Sequence, residues 1–173
     1  LQNQDKVQRI LFYNILSHTT NHVMENRDKD TNIYIDEAHI IADPKVPLAM
    51  SYVHYMMKVL RSFNTGIVTA TQSIKDFLSA RDNYRNYGEA VVTQSIQRLY
   101  LSMSEEELIY LEKELGNTVS DEERSILIIK DGNQKEKGKG IFYTGSKKIK
   151  LRVQMNDLIK HIWVDKRPIS EYI

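Results

Sequence analysis

The sequence of 173 residues contains no cysteine. It therefore has no disulfide bonds and no thiolate metal site, which is compatible with a reducing compartment. No apolar run approaches the roughly 20 residues that a membrane-spanning helix needs. Neither sign of charge is in excess, since 24 Lys and Arg residues stand against 23 Asp and Glu residues. Overall charge thus favours neither a nucleic-acid binder nor a membrane-surface protein, and the length suits one domain with a real core.

The clearest pattern that is present is a strand, a helix and a second strand. Residues 32–35 are β-prone and are followed by two adjacent carboxylates, Asp36 and Glu37. Residues 66–73 form a second β-prone run that ends in polar side chains. The helix predicted over residues 47–62 gives the crossover length that a parallel pair requires. The polar groups then fall at the carboxyl ends of neighbouring parallel strands, where open α/β sheets bind ligands.

These polar side chains fit a site for a nucleotide and its metal ion. An Asp at the tip of an apolar strand can hold the water shell of Mg²⁺, and an adjacent Glu can orient or deprotonate an attacking water. Asp36 and Glu37 are placed for those two roles, and Gln72 is placed to touch a γ-phosphate or the attacking water. In the alternative interpretation Asp36 caps a following helix and Glu37 is merely solvated. The Thr-Ala-Thr-Gln run that ends at Gln72 favours the nucleotide chemistry.

The sequence resembles the C-terminal half of the cytoplasmic ATPase of type IV secretion and conjugation machines, over residues 33–39, 57–64 and 66–76. That family lies in the HerA/FtsK-like branch of RecA-fold P-loop NTPases. The resemblance is clearest over residues 32–79 and continues more weakly to about residue 160. It implies an α/β fold, a partial RecA-like P-loop NTPase domain with a mostly parallel sheet flanked by helices. Residues 1–165 would belong to that domain and residues 166–173 to a tail.

The resemblance also implies roles for individual residues. Asp36 and Glu37 would form the Walker B motif, with Asp36 holding Mg²⁺ through water and Glu37 acting on the attacking water. Gln72 would be the sensor at the end of the adjacent strand. Arg61 matches the arginine of the preceding helix, and in the ring-shaped assemblies of the family an arginine of one subunit commonly reaches the nucleotide of its neighbour. ATP and Mg²⁺ are the implied cofactors.

One part of such a site is missing from the sequence. The Walker A loop, Gly-x-x-x-x-Gly-Lys-Ser/Thr, cradles the phosphates with its backbone amides. Gly140 and Gly145 have the right separation, but Ser146 stands where the lysine should be. These glycines are better interpreted as turns between strands. We therefore expect the Walker A loop to lie N-terminal to Leu1 and the chain alone to be inactive.

Two alternative functions stay open at this stage. Residues 36–39 also spell the DEAH signature of one helicase group, and residues 69–71 are similar to the triplet that such helicases couple to their Walker B motif. Those helicases need a second domain with a Gln-x-x-Gly-Arg-x-x-Arg motif, which the sequence lacks. The other alternative is a non-hydrolysing docking module of a secretion complex. We interpret His39 as a side chain at a helix start with no catalytic task.

The spacing of apolar residues predicts the remaining elements. Helices are expected over residues 1–26, 104–115 and 156–163. A strand at residues 97–101 is expected next in the same sheet. An antiparallel meander at the sheet edge is expected from strands at residues 125–130, 140–144 and 149–153.

Residues 130–152 show the only marked charge asymmetry in the sequence. They contain seven lysines and one arginine but only two acids, Asp131 and Glu136. Phosphate attraction would make this a basic rim that faces DNA, acidic lipid or a partner. The interpretation that we favour is that the lysines keep an edge strand from pairing with other chains.

Partners and location are expectations from the resemblance alone. It implies a homo-oligomer, for which a hexamer is plausible, and contacts with coupling proteins and other components of the secretion channel. Contact with DNA and peripheral association with the membrane are compatible with it. The expected location is the cytoplasm, at the inner face of the cell membrane.

Overall fold

The computed structural model describes residues 2–42, 48–116, 118–128 and 138–171. The chain divides into two compact units. Unit 1 consists of Leu1–Ile96 and Glu106–Thr118, and unit 2 consists of Gln97–Glu105 and Val119–Ile173.

Unit 1 is built from helices around a parallel pair of strands. Its helices are α1 (Gln2–Glu25), α2 (Leu48–Val59), α3 (Ile74–Leu78), α4 (Tyr87–Gln94) and α5 (Glu105–Leu115), of which only Glu105 lies in unit 2. Its strands are β1 (Thr31–Ile35) and β2 (Thr65–Thr69). Short 3-10 turns span Ala38–Ile40 and Leu60–Phe63. The predicted helices at residues 1–26, 47–62 and 104–115 are confirmed.

Strands β1 and β2 pair in parallel, with Thr31 opposite Thr65 and Ile35 opposite Thr69. The crossover between them contains α2, as the strand, helix, strand pattern predicts. One face of the pair is half-buried and packs against the core through Ile33, Ile35 and Ile67. The other face leaves Tyr34 and Val68 exposed. Alternation of this kind is what a strand with one covered face produces.

The core of unit 1 lies among α1, α2, α4 and the covered face of the strands. Helix α2 contributes three completely buried side chains, Met50, Val53 and Met56. The buried hydrophobic residues of this core are Leu16, Val23, Ala38, Ile41, Ala42, Ala49, Met50, Val53, Met56, Leu60, Phe77, Leu78, Ala80, Val91 and Val92. Because α2 is both the crossover and the centre of the core, its packing helps to fix where β1 and β2 end.

Unit 2 contains an antiparallel sheet in the order β3-β4-β5. The strands are β3 (Gln97–Tyr100), β4 (Lys139–Thr144) and β5 (Lys147–Arg152), and the helices are α6 (Asp121–Leu127) and α7 (Asp157–Trp163). A 3-10 turn follows at Ile169–Glu171. The predicted hairpin of β4 and β5 and the predicted closing helix are confirmed.

Two sequence predictions about strands are wrong. Strand β3 does not extend the parallel pair, because it pairs with β4 in a separate sheet, Gln97 opposite Thr144. The segment at residues 125–130 does not begin as a strand, because residues 125–127 are the end of α6. A capping box starts that helix, since Ser120 accepts from the Glu123 amide and the Glu123 carboxylate accepts from the Ser120 amide. Satisfying these two backbone donors outweighs the β-propensity of the aliphatic residues that follow.

The described part of the basic segment is partly neutralised. Lys148 Nζ lies 3.0 Å from Glu123 Oε2, and Lys150 forms an ion pair with Glu122. Both lysines belong to β5, which has one unpaired edge among the described strands. These pairs reduce the charge that an open basic rim would offer, and the role of the lysines in blocking edge pairing stays a prediction. Residues 130–137 of the segment lie outside the described residues.

Candidate functional site

The candidate site lies at the carboxyl ends of β1 and β2. Backbone pairing continues past the strands, since the Ala70 amide donates to the Ile35 carbonyl (2.9 Å) and the Ala38 amide donates to the Ala70 carbonyl (2.8 Å). This brings the segment that follows β1 beside the segment that follows β2. Asp36 and Glu37 therefore lie next to Gln72 at one edge of the sheet.

Glu37 and Gln72 are in direct contact. Gln72 Nε2 donates a hydrogen bond to Glu37 Oε1, although 35 positions separate the two residues in the sequence. Glu37 has a left-handed backbone, with φ 50° and ψ 43°. Non-glycine residues rarely adopt this conformation, and it is concentrated at functional sites and tight turns. Here it turns the chain sharply after β1 and aims the Glu37 side chain towards Gln72.

The second carboxylate oxygen of Glu37 has a different environment. Glu37 Oε2 is buried, and among the described residues it receives no well-formed hydrogen bond. His39 Nδ1 lies 3.2 Å away, which makes an ion pair when His39 is protonated. His39 Nδ1 is also 3.5 Å from Thr71 Oγ1. His39 thus stands between the two strand ends, a position that the sequence interpretation did not anticipate.

Asp36 is exposed and directly follows β1. Its Oδ1 accepts a hydrogen bond from the Glu37 amide at 2.9 Å. In the described part of the chain no three His, Cys, Asp or Glu residues gather into a metal-binding cluster. Mg²⁺ fits this donor set nevertheless, because it keeps most of its water shell and is often held by one or two carboxylates and the substrate phosphates. Asp36 is the residue that would hold it.

Arg61 is not brought together with these residues. It is exposed in the 3-10 turn that precedes β2, so it lies at the amino end of the strand whose carboxyl end leads to Gln72. Five strand residues, at about 3.3 Å each, separate the two ends by about 15 Å. Arg61 therefore does not reach the Glu37–Gln72 contact of the same chain.

The segment after Gln72 is anchored by a residue whose role the sequence did not indicate. Ser73 is the N-cap of α3 and accepts from the Asp76 amide. Ser73 Oγ also donates to Glu107 Oε1 (3.2 Å), and Glu107 Oε2 accepts from the amides of Ile74 (2.9 Å) and Lys75 (3.2 Å). The acidic turn of residues 105–107 suggests a carboxylate near a helix start, but only the fold identifies α3 as that helix.

The arrangement defines a class of site. A carboxylate that can accept a proton, an exposed aspartate and an amide side chain meet at the carboxyl ends of parallel strands joined by a helix. Ligand sites of open α/β sheets occupy this position. The fold is that of a partial RecA-like α/β domain.

A comparison with solved structures points to a particular protein. The chain is structurally similar to VirB4 of Thermoanaerobacter pseudethanolicus, with a TM-score of 0.75 and 26% sequence identity. The match covers 88% of this chain and 38% of that chain. The resemblance to the ATPase of type IV secretion systems, noted from the sequence, is confirmed by this match.

Comparisons with protein families and with curated proteins found no match. This chain spans little more than a third of the VirB4 chain. No helix in the described part combines the length and the apolar character needed to cross a membrane.

Proposed function

We propose that this chain is part of an ATP-hydrolysing motor that energises type IV secretion or conjugative DNA transfer. The observation on which the proposal rests is the contact between Glu37 and Gln72 at the carboxyl ends of β1 and β2. The structural similarity to VirB4 supports it. We infer that Asp36 and Glu37 are the Walker B pair and that Gln72 is the sensor.

Each of these residues has a distinct chemical task in the proposal. Asp36 holds the water shell of Mg²⁺, which when bound neutralises charge on the phosphate oxygens. Glu37 orients the attacking water and accepts its proton. Oε1 of Glu37 is engaged by Gln72, so Oε2 is the oxygen available to a water once His39 gives way. Gln72 passes from Glu37 to the γ-phosphate and so reports the state of the nucleotide.

The proposal requires a phosphate-binding loop that the given sequence does not contain. Without backbone amides to cradle the phosphates, nucleotide affinity falls steeply. We therefore expect the 173-residue chain alone to be inactive. Hydrolysis would require the larger protein.

The larger protein would work as a homo-oligomer, for which we propose a hexamer. Arg61, exposed at the opposite end of β2, would act on a neighbouring subunit rather than on its own Glu37. Other secretion-channel and coupling proteins are the proposed partners, with DNA and the membrane surface as further contacts. The proposed location is cytoplasmic, at the inner face of the cell membrane.

The decisive experiment measures Mg·ATP binding and turnover in three proteins. They are this chain, a version extended upstream by about one domain length, and the extended version with Glu37→Gln. We expect turnover only in the extended protein. Glu37→Gln should lower turnover by about 10²- to 10⁴-fold, the usual contribution of a general base, while ATP stays bound.

The control is Glu25→Gln, at the end of α1 and outside the site. It should leave turnover unchanged. An extended protein that neither binds nor hydrolyses ATP would refute the Walker B assignment. If that protein still assembled with its partners, the docking-module function would replace the motor.

One observation favours the helicase alternative. Thr71 Oγ1 lies 3.5 Å from His39 Nδ1, so the Thr-Ala-Thr triplet touches the DEAH-like segment. If the protein is a helicase, single-stranded RNA or DNA should stimulate its ATP hydrolysis. The same extended protein, assayed with and without nucleic acid, separates the two functions, because His39→Ala would remove the stimulation only in a helicase.

A further inference from the structure

The start of α3 is held by a single carboxylate. Glu107 Oε2 accepts hydrogen bonds from two successive backbone amides, those of Ile74 and Lys75, and Glu107 Oε1 accepts one from Ser73 Oγ. All three donors follow Gln72 directly in the chain. Three hydrogen bonds to one ionised group make this an unusually firm local anchor, because charge-assisted bonds are roughly twice as strong as neutral ones.

The anchor itself rests on a rigid base. Glu107 lies near the start of α5, whose Leu108 and Leu111 are fully buried. Tyr110 and Leu115 of the same helix pack against the core of unit 1. A carboxylate on such a helix has a fixed position, so the backbone it binds is fixed as well.

Gln72 is thus restrained on both sides. On one side its amide donates to Glu37 Oε1. On the other, the residue that follows it is tied to Glu107. Preceding it, Thr71 Oγ1 donates to the Ser73 carbonyl at 3.0 Å, which closes a tight turn around Gln72.

We propose that Glu107 is a positioning residue for Gln72. By holding Ser73, Ile74 and Lys75, it places the Gln72 amide within reach of Glu37. The functional meaning of this placement rests on the proposed role of Gln72 as a sensor. The placement itself does not depend on ATP, and the chain can be tested for it without nucleotide.

Neighbouring residues provide a matched control. Glu106 has the same charge and is one position away, but it is exposed on α5. Glu107→Gln is close to isosteric and removes the charge, but its amide oxygen can still accept from the two backbone amides, whereas Glu107→Ala removes every acceptor. Comparing Glu107→Gln with Glu106→Gln therefore separates the effect of weakening the hydrogen bonds to Glu107 from the effect of losing one negative charge on α5.

The test uses NMR of the full 173-residue chain. In Glu107→Ala, hydrogen exchange of the Ile74 and Lys75 amides should become about tenfold faster, as expected for the loss of a hydrogen bond to a charged group. Glu107→Gln keeps a neutral acceptor, so it should accelerate this exchange by a smaller factor. The side-chain amide resonances of Gln72 should move towards their positions in Glu37→Ala, where the acceptor is gone. Glu106→Gln should change neither signal.

The Gln72 signal separates positioning from plain structural support. If the Ile74 and Lys75 amides exchange faster while the Gln72 side-chain signals stay as in the unchanged protein, Glu107 only caps α3 and the proposal is overturned. Unchanged exchange of both amides would overturn it too. Should Glu107→Ala not fold, Glu107→Gln decides the question.

The extended protein shows whether the proposed function stands independently. With Gln72 displaced, Glu107→Gln should lower kcat several-fold and leave the KM for ATP unchanged, while Glu106→Gln leaves both unchanged. An inactive extended protein combined with the NMR result expected above would refute the motor but retain the positioning role. If the extended protein is active but Glu107→Gln leaves the Gln72 signals unchanged, the motor function stands and the positioning role is refuted.

Discussion

Glu37 adopts its left-handed backbone at the position where a catalytic carboxylate is proposed. That conformation costs a non-glycine residue about 1 kcal/mol or more. Asn tolerates it far better than a β-branched residue does. The fold therefore permits some replacements of Glu37 and penalises others, whatever their chemistry.

A pair of substitutions tests this cost. Both Glu37→Asn and Glu37→Val remove the carboxylate and the bond from Gln72. Because valine is strained at φ 50°, Glu37→Val should lower the free energy of unfolding by at least about 1 kcal/mol more than Glu37→Asn. Urea denaturation measures the difference. Equal stabilities would show that the turn after β1 is not left-handed in solution.

His54 should make the stability of unit 1 depend on pH. It is only 5% exposed, and its Nε2 lies 2.6 Å from Gln94 Nε2 of α4, which fits a neutral ring that accepts from the amide. Burial, with smaller effects from the charges of Arg85 and Lys58, lowers the pKa of His54 below its ordinary value of 6.5. The unfolded chain then binds the proton more readily, so stability is lost as the pH falls below about 6.5.

The measurement is urea denaturation at several pH values between 7.5 and about 5, which brackets the ordinary range of histidine. The free energy of unfolding should fall with pH in the unchanged chain and fall less in His54→Leu. Exposed His18 is the matched control, and His18→Gln should keep the original slope. A slope that His54→Leu does not alter would contradict the assignment.

At the residue scale, sequence reasoning predicted which polar residues follow the two strands, but not their contacts. Asp36, Glu37 and Gln72 follow β-prone runs, and strand ends are predictable from such runs. The contacts of His39 with Thr71 and of Glu107 with Ser73 join residues more than 30 positions apart. No periodic pattern encodes contacts at that distance. They follow from how the strands pair and how the helices pack.

At the element scale, Gly88 lies at a close approach between α3 and α4. A Cβ atom there would lie 2.1 Å from the Phe77 carbonyl oxygen and 2.9 Å from Leu78 Cα. Both are backbone atoms of α3, so neither can move aside alone. Only glycine lets the first turn of α4 lie directly on α3.

Gly88→Ala should therefore destabilise the chain, although alanine is the better helix former by about 1 kcal/mol. We expect a net loss of about 3 kcal/mol, at the upper end of overpacking effects. Thermal denaturation checks it, with the exposed neighbour Glu89→Ala as the control that should change little. A more stable Gly88→Ala variant would mean that the two helices are further apart.

Most elements of unit 1 were predictable, while two of unit 2 were misplaced. Long helices such as α1 and α5 can be predicted from the spacing of their apolar residues. The start of α6 is indicated only by Ser120 and Glu123, a two-residue signal beside a strongly β-prone stretch. The partner of β3 was misjudged because a short strand does not encode its pairing, which depends on the distant hairpin of β4 and β5.

At the scale of the whole molecule, the two units differ in how much apolar surface they bury. Unit 1 has an extended core that includes Met50, Val53, Met56 and Leu60. Among the described residues of unit 2, the buried hydrophobic side chains are Leu127, Ile141 and Tyr143. Protection of backbone amides follows buried apolar contact. Unit 1 should therefore have the slowest exchange.

Hydrogen exchange followed by mass spectrometry tests this. Peptides from α2 should exchange most slowly, and peptides from β4 and β5 should open at lower free energy. Fully coincident opening of both sets would show that the two units unfold as one. Such a result would be independent of any nucleotide chemistry.

The outer face of the parallel pair has a consequence for solubility. Tyr34 lies opposite Val68 on that face, and Tyr34 is 74% exposed. Parallel sheets are normally covered on both faces, because their strands are apolar on both. We therefore expect this apolar face to promote self-association when the chain is handled alone at high concentration. Tyr34 lies two positions before Asp36, so conditions that mask this apolar face need to spare the carboxylates beside it.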